Sequence, residues 1–128
     1  MKLIDINQNF INNKLTILGD SLLKKEYKNK WNTNKPTTGY CYIVCEAIFH
    51  YVEENDIQIY YINLGKEIGV HWFLKYNNNI IDFTANQFDF PVDYSKGKRI
   101  GFFKGKYQTK KGFISERGYQ IAKILNLI

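Results

Sequence analysis

Three side chains of this 128-residue chain have the types and order of a nucleophile, a base and an orienting acid: Cys41, His71 and Asp82. Cys41 follows Gly39-Tyr40 at the start of a stretch with helical period. A thiolate at a helix N-terminus is stabilised by free backbone N–H groups and by the positive end of the helix dipole. Gly39 lets the backbone turn sharply just before the thiol. His71 heads a strand pattern and precedes Trp72, and Asp82 interrupts the apolar run Ile80-Ile81-Asp82-Phe83-Thr84. Strands disfavour Asp, and a buried carboxylate needs a partner. Each residue alone has a plainer reading: a small buried cysteine, a histidine held by a backbone carbonyl, a satisfied aspartate. Their joint occurrence supplies a sulfur that attacks a carbonyl, an imidazole that moves its proton, and a carboxylate that holds the ring.

The turn between the last two strands makes this geometry specific. Asn tolerates positive φ, so Asn77-Asn78-Asn79 suits a tight hairpin. A two-residue turn on Asn77-Asn78 pairs Tyr76 with Asn79, sets Phe73 opposite Asp82, and puts His71 opposite Thr84. His71 and Asp82 then share a face as diagonal neighbours, with Cβ atoms about 7 Å apart. A three-residue turn would send Asp82 to the other face.

The elements that must carry these residues are legible as patterns. Phe10, Ile11, Leu15, Leu18, Leu22 and Leu23 recur at three- and four-residue spacing, which predicts N-terminal helices broken at Gly19-Asp20-Ser21. Asp20 or Ser21 is placed to cap a second helix from Leu22 to about Lys30. Asn32-Thr33-Asn34-Lys35-Pro36 reads as a loop. A central helix is predicted from Cys41 to Glu54, capped by Thr37 or Thr38. Cys41, Val44, Cys45, Ile48 and Val52 lie on its apolar face, and Glu46, Glu53 and Glu54 mostly opposite. Ile57–Ile62, Val70–Tyr76 and Ile80–Thr84 read as strands. The Gly-rich stretch from Pro91 to Gly112 reads as a loop with one or two short strands, and Ser115–Leu127 as a closing helix. The order predicts one α+β domain over residues 1–128, with a helical part at 1–35 and a core at 36–128.

Other polar residues have secondary parts. Gln87, after the Asp82 strand, can touch a substrate, donate to an oxyanion, or anchor its own loop. Asn34 is the nearest amide upstream of Cys41 and, with the Cys41 N–H, is the candidate oxyanion donor. Trp72 is a candidate substrate contact, with packing in the core or shielding of the His–Asp pair the favoured reading. Glu46 and His50, one helical turn apart, are expected to form a structural pair. Cys41, Cys45, His50 and His71 complete no recognised zinc spacing, and no metal or cofactor is expected.

Composition bounds the setting. The chain has 18 Lys and Arg against 12 Asp and Glu, for a net charge of +6, and 16% aromatic residues exclude a disordered chain. Two cysteines four residues apart fit a reducing compartment. No apolar run approaches a membrane span and the N-terminus lacks a secretory pattern, so a cytoplasmic protein without membrane contact is expected. The Lys runs at 24–30 and 96–111 read first as solvated faces. The second, with Phe102, Phe103 and Tyr107, also allows a basic nucleic-acid-binding module.

The segment Gly39-Tyr40-Cys41-Tyr42, followed by Glu46-Ala47 and His50, resembles a motif of small uncharacterised bacteriophage and prophage proteins. Their segment reads glycine–histidine–cysteine–tyrosine, then glutamate–alanine, then a histidine. The blocks His71-Trp72-Phe73-Leu74 and Ile81–Phe88, Pro91–Tyr94 through Gly97 to Gly101-Phe102, and Ser115 with Arg117 are similar too, so the likeness spans residues 36–125. The chain departs from the pattern at Tyr40, where a histidine is expected, and at Phe83, where a proline is. Cys45 stands in place of a small residue such as serine, which favours Cys41 as the nucleophile. A helix presenting a thiol to a sheet that presents histidine and acid is similar in plan to papain-like and transglutaminase-like enzymes. The resemblance implies a phage-encoded cysteine hydrolase or acyl transferase acting on an amide of a protein, peptide or small molecule, with a host protein among the candidates. A non-catalytic inhibitor of a host factor on a degenerate enzyme scaffold is the alternative.

Overall fold

The computed structural model describes residues 1–128. A 3-10 turn at Leu3–Asp5 leads into α1 (Gln8–Leu18), and α2 (Lys25–Lys28) and α3 (Cys41–Tyr51) follow. The sheet strands are β1 (Gln58–Asn63), β2 (Val70–Tyr76), β3 (Asn79–Ile81) and β4 (Lys98–Arg99). A separate hairpin, β5 (Tyr107–Thr109) and β6 (Gly112–Ile114), precedes α4 (Glu116–Ile124). The four strands are antiparallel in the order β3-β2-β1-β4. The protein is thus α+β, with helices packed against an antiparallel sheet.

The predicted hairpin register is present. Tyr76 pairs with Asn79 and Leu74 with Ile81, and Asn77 and Asn78 hold φ of 50° and 64°. Positive φ at both central residues matches the twist of the flanking strands. Strand pairing ends at Ile81, three residues short of the predicted Thr84, because Asp82 and Thr84 bond to each other instead of to a ladder.

Alternation on β2 divides the sheet into two faces. Trp72 and Leu74, with Ile59 of β1, join Val44, Cys45, Ile48 and Leu15 in the main apolar core. His71 and Phe73 point the other way. They are covered by the chain that follows β3: Phe88 meets the His71 ring edge-on at 4.9 Å, and Tyr94 meets Phe73 at 4.8 Å.

Helix α3 is buried nearly all round, including Glu46, at 0% exposure. The predicted polar side of this helix is corrected here: α4 packs against it, so both flanks of α3 are covered. The caps also differ. The N-cap is Tyr40, without a side-chain cap. Thr37 donates to Asn86 Oδ1 and Thr38 to the Lys35 carbonyl, which removes both from the helix end. Helix α2 is one turn beginning at Lys25, not a helix from Leu22, and neither Asp20 nor Ser21 caps it. Helix α3 ends at Tyr51 and α4 at Ile124.

Candidate active site

Cys41 is the first residue of α3, where the N–H groups of the opening turn have no intrahelical partner. Two features fix its approach. Gly39 has φ +80°, and a Cβ there would lie 2.9 Å from Tyr27 Cβ, so the turn needs glycine for both conformation and space. Tyr40 is fully buried, donates its hydroxyl to the Gly19 carbonyl at 2.6 Å, and has its pKa pushed up to about 12 by burial. The thiol sits 4.0 Å from the Val70 carbonyl, at the floor of a cleft of about 270 Å³. At 8% exposure Cys41 is recessed yet open to that cleft.

His71 and Asp82 meet behind it. The His71 Nε2 and Asp82 Oδ2 are 2.7 Å apart, with side chains 1% and 3% exposed. The carboxylate is saturated: Oδ2 also accepts from the Tyr94 hydroxyl at 2.6 Å, and Oδ1 from the Thr84 backbone N–H and hydroxyl at 3.2 and 3.3 Å. Such a carboxylate is fixed in direction and holds the imidazole in one orientation.

The other ring nitrogen, Nδ1, is the one buried side-chain nitrogen or oxygen of the protein without a hydrogen-bond partner. Cys41 is the sulfur nearby. Burial pulls the His71 pKa down, but the hydrogen bond to Asp82, the interaction with Cys41 and the charges of both outweigh it, raising the pKa to about 9. The imidazole is therefore protonated at neutral pH. Nε2 is taken by Asp82, while the Cys41 sulfur makes its hydrogen-bond contact with the Val70 carbonyl and none with Nδ1. Thiol–base contacts in unliganded sites commonly close only when substrate arrives.

Cys45, one turn along α3, is sealed in the core. Burial first, then the charges of Asp82 and Cys41, push its thiol well above the ordinary range, so it is held as the neutral thiol. It does not line the cleft.

Gln87 and Trp72 both line the cleft with Cys41. Gln87 is braced: its Nε2 donates to the Thr84 carbonyl at 2.9 Å, and its Oε1 accepts from the Gly39 N–H at 3.4 Å. It ties the chain after Asp82 to the turn before Cys41. Trp72 packs edge-to-face on Tyr42 at 4.7 Å. Asn34 is not brought to the site. It lies exposed in the turn closed by the Asn32 side chain and is absent from the cleft lining, because the chain between it and Cys41 folds back on itself.

The expected Glu46–His50 pair is replaced by two separate contacts. Glu46 accepts from the Ser115 N–H at 2.8 Å and hydroxyl at 2.5 Å, anchoring the start of α4. His50 Nδ1 meets Thr109 Oγ1 at 2.6 Å, and burial with nearby Lys111 pushes its pKa down to about 4. His50 and His71 thus belong to different parts of the molecule, and no three His, Cys, Asp or Glu side chains form a metal-binding group.

Tyr94 is the residue that motif reasoning left without a role. Its only signal was membership of the Pro91–Tyr94 block. Removing its hydroxyl leaves Asp82 one donor short, and hydrogen bonds to charged groups contribute about 1.5–3 kcal/mol. Tyr94→Phe is expected to lower stability by about 1.5 kcal/mol in urea unfolding without changing the m-value. An unchanged midpoint would show that the hydroxyl bond carries no net stability.

No protein-family model, no curated protein and no solved structure matches the chain. No helix is long and apolar enough to cross a membrane. The fold and site together define an α+β protein whose cleft holds a cysteine at a helix N-terminus beside a buried histidine–aspartate pair.

Proposed function

We propose that this protein is a cysteine-dependent hydrolase or acyl transferase that acts on an amide bond through Cys41, His71 and Asp82. The observation that carries the reading is the His71 ring, fixed by Asp82 at Nε2 and unpaired at Nδ1, with the Cys41 thiol close enough to favour its charged form. A buried polar atom without a partner costs about 1–3 kcal/mol, so its retention calls for a functional account. Proton exchange with a nucleophilic sulfur provides one.

The chemistry proceeds in two balanced stages. His71 holds at Nδ1 the proton that Cys41 gives up, so the sulfur attacks the carbonyl carbon as the thiolate of this pair, and the oxyanion is met by the Cys41 N–H at the helix start. The tetrahedral intermediate collapses, the C–N bond breaks, and His71 returns the proton to the departing amine. A thioester is left on Cys41. Water or a second amine then gives its proton to His71, by now neutral, and attacks the thioester; the C–S bond breaks, releasing acid or a new amide and restoring the thiolate beside the charged ring. The site plan is papain-like or transglutaminase-like, and the motif resemblance makes a phage protein working on a peptide or host protein in the cytoplasm the setting we favour.

Labelling tests this directly. With iodoacetamide near neutral pH, Cys41 is expected to react about 100-fold faster than Cys45, since Cys41 lines the cleft at a helix N-terminus while Cys45 is enclosed in the core with its thiol pKa raised by burial. Peptide mapping separates the two. Comparable rates would remove the basis of the proposal.

A further inference from the structure

The cleft above Cys41 has a one-sided charge. Its lining includes Lys24, Lys104 and Arg117 and no acidic residue. None of the three forms an ion pair in the protein, whereas Lys35 and Lys106, nearby in sequence, are paired with Asp89 and Glu116. Arg117 is held in place by donating Nη1 to the Leu22 carbonyl at 3.0 Å, which leaves other guanidinium N–H groups free to fork a carboxylate. The charge of the buried Glu46 carboxylate interacts with that of Arg117, and that of Glu26 with Tyr27. Neither carboxylate lines the cleft. The adjoining depression beyond Gln87 and Phe88 is mixed, with Lys30 and Lys35 opposed by Glu67 and Asp89. Between the cations, Tyr42, Trp72 and Phe103 form an aromatic wall.

We propose that the substrate is an acidic peptide, whose carboxylate is held by Lys24, Lys104 and Arg117 while its amide meets Cys41. The inference rests on the cleft being the substrate site of the proposed enzyme. Cations without an ion-pair partner around an apolar-walled cleft lose least when an anion enters, and focusing of the field in a cleft raises the local concentration of such a ligand. A single-stranded nucleic acid fits less well. Its backbone needs cations strung along a groove, and here the next stretch carries Glu67 and Asp89. Two lysines of the basic 96–111 run are also already engaged, Lys106 with Glu116 and Lys111 with the carbonyls of Val52 and Glu54.

The test measures binding in the Cys41→Ala protein, so that no turnover intervenes. A short peptide rich in glutamate and aromatic residues is compared with its glutamine counterpart by calorimetry at low salt. The acidic peptide is expected to bind about tenfold tighter, the effect of two or three exposed charge contacts. That preference should fall to about threefold or less in Lys24→Gln/Lys104→Gln and persist in Lys14→Gln/Lys110→Gln, a control pair of equal charge outside the cleft. Equal affinity for the two peptides, or equal loss in the control pair, would overturn the inference. So would a single-stranded oligonucleotide that binds more tightly than the acidic peptide and loses its binding with the same two cleft lysines. Iodoacetamide labelling of the unmodified protein, which uses a neutral reagent, reports on the thiol alone. A reactive Cys41 with no charge preference rejects only the acidic substrate. A charge preference over an inert Cys41 rejects only the hydrolase.

Discussion

His71→Gln is expected to slow acylation of Cys41 by an activated ester by about 10³-fold, within the range that a positioned acid–base group contributes. Glutamine is the informative replacement. Its amide can donate to Asp82 Oδ2 from near the position of Nε2, so the buried carboxylate keeps a partner and the fold is preserved. What it cannot do is hold the proton that the thiol gives up or return it to the leaving group. His71→Ala would confound the two effects, since leaving a buried carboxylate short of its partner costs about 3–5 kcal/mol. A rate for His71→Gln within about threefold of the unaltered protein, with an unchanged melting temperature, would show that the imidazole takes no part in the reaction.

Gly39→Ala is expected to have the largest effect on the scaffold of the site. An L-residue in the left-handed region costs about 1–2 kcal/mol. The added Cβ would also lie 2.9 Å from Tyr27 Cβ and 3.0 Å from Leu23 Cδ2, and overpacking of this kind costs about 1–3 kcal/mol more. Tyr27 Cβ is bonded to its backbone and cannot swing aside as a side-chain tip would. The sum, about 3 kcal/mol, corresponds to a fall of about 10–15 °C in Tm for a domain of this size. Acylation of Cys41 should fall as well, because the same turn aims the thiol and receives Gln87 through the Gly39 N–H. A variant that melts as the unaltered protein does would show that this turn accommodates a side chain and has no need of glycine.

How far the sequence disclosed this arrangement depended on whether a signal was local. The hairpin register followed from Asn77-Asn78, because side-chain parity and positive φ are properties of adjacent residues. Gly39 before Cys41 was equally local. Strand β3 is shorter than its composition over Ile80–Thr84 predicts, because Asp82 and Thr84 satisfy each other's polar groups in a turn. Glu46 was assigned to the solvent side of α3 because periodicity along one helix cannot reveal that α4, some 70 residues on, covers that side. Its partner Ser115 and the role of Tyr94 are tertiary facts of the same kind. Asn34 is near Cys41 in sequence alone, since the turn at Asn32–Lys35 carries it away from the cleft. The three unpaired cations around the cleft come from segments near residues 24, 104 and 117, and no single stretch of the sequence shows that they converge.

The pH–rate profile of Cys41 acylation, measured in the unaltered protein and in Asp82→Asn, tests the cooperation of the three residues most directly. With its pKa raised to about 9, His71 is charged below that pH and loses its proton above it. A reaction that needs the protonated ring to assist departure must therefore decline as pH rises through about 9. Asp82 is the chief partner raising that pKa, so in Asp82→Asn the declining limb should move to lower pH, burial then acting with less opposition. A rate that climbs steadily through this range, as for a free thiol, and that follows the same curve in Asp82→Asn would contradict the account.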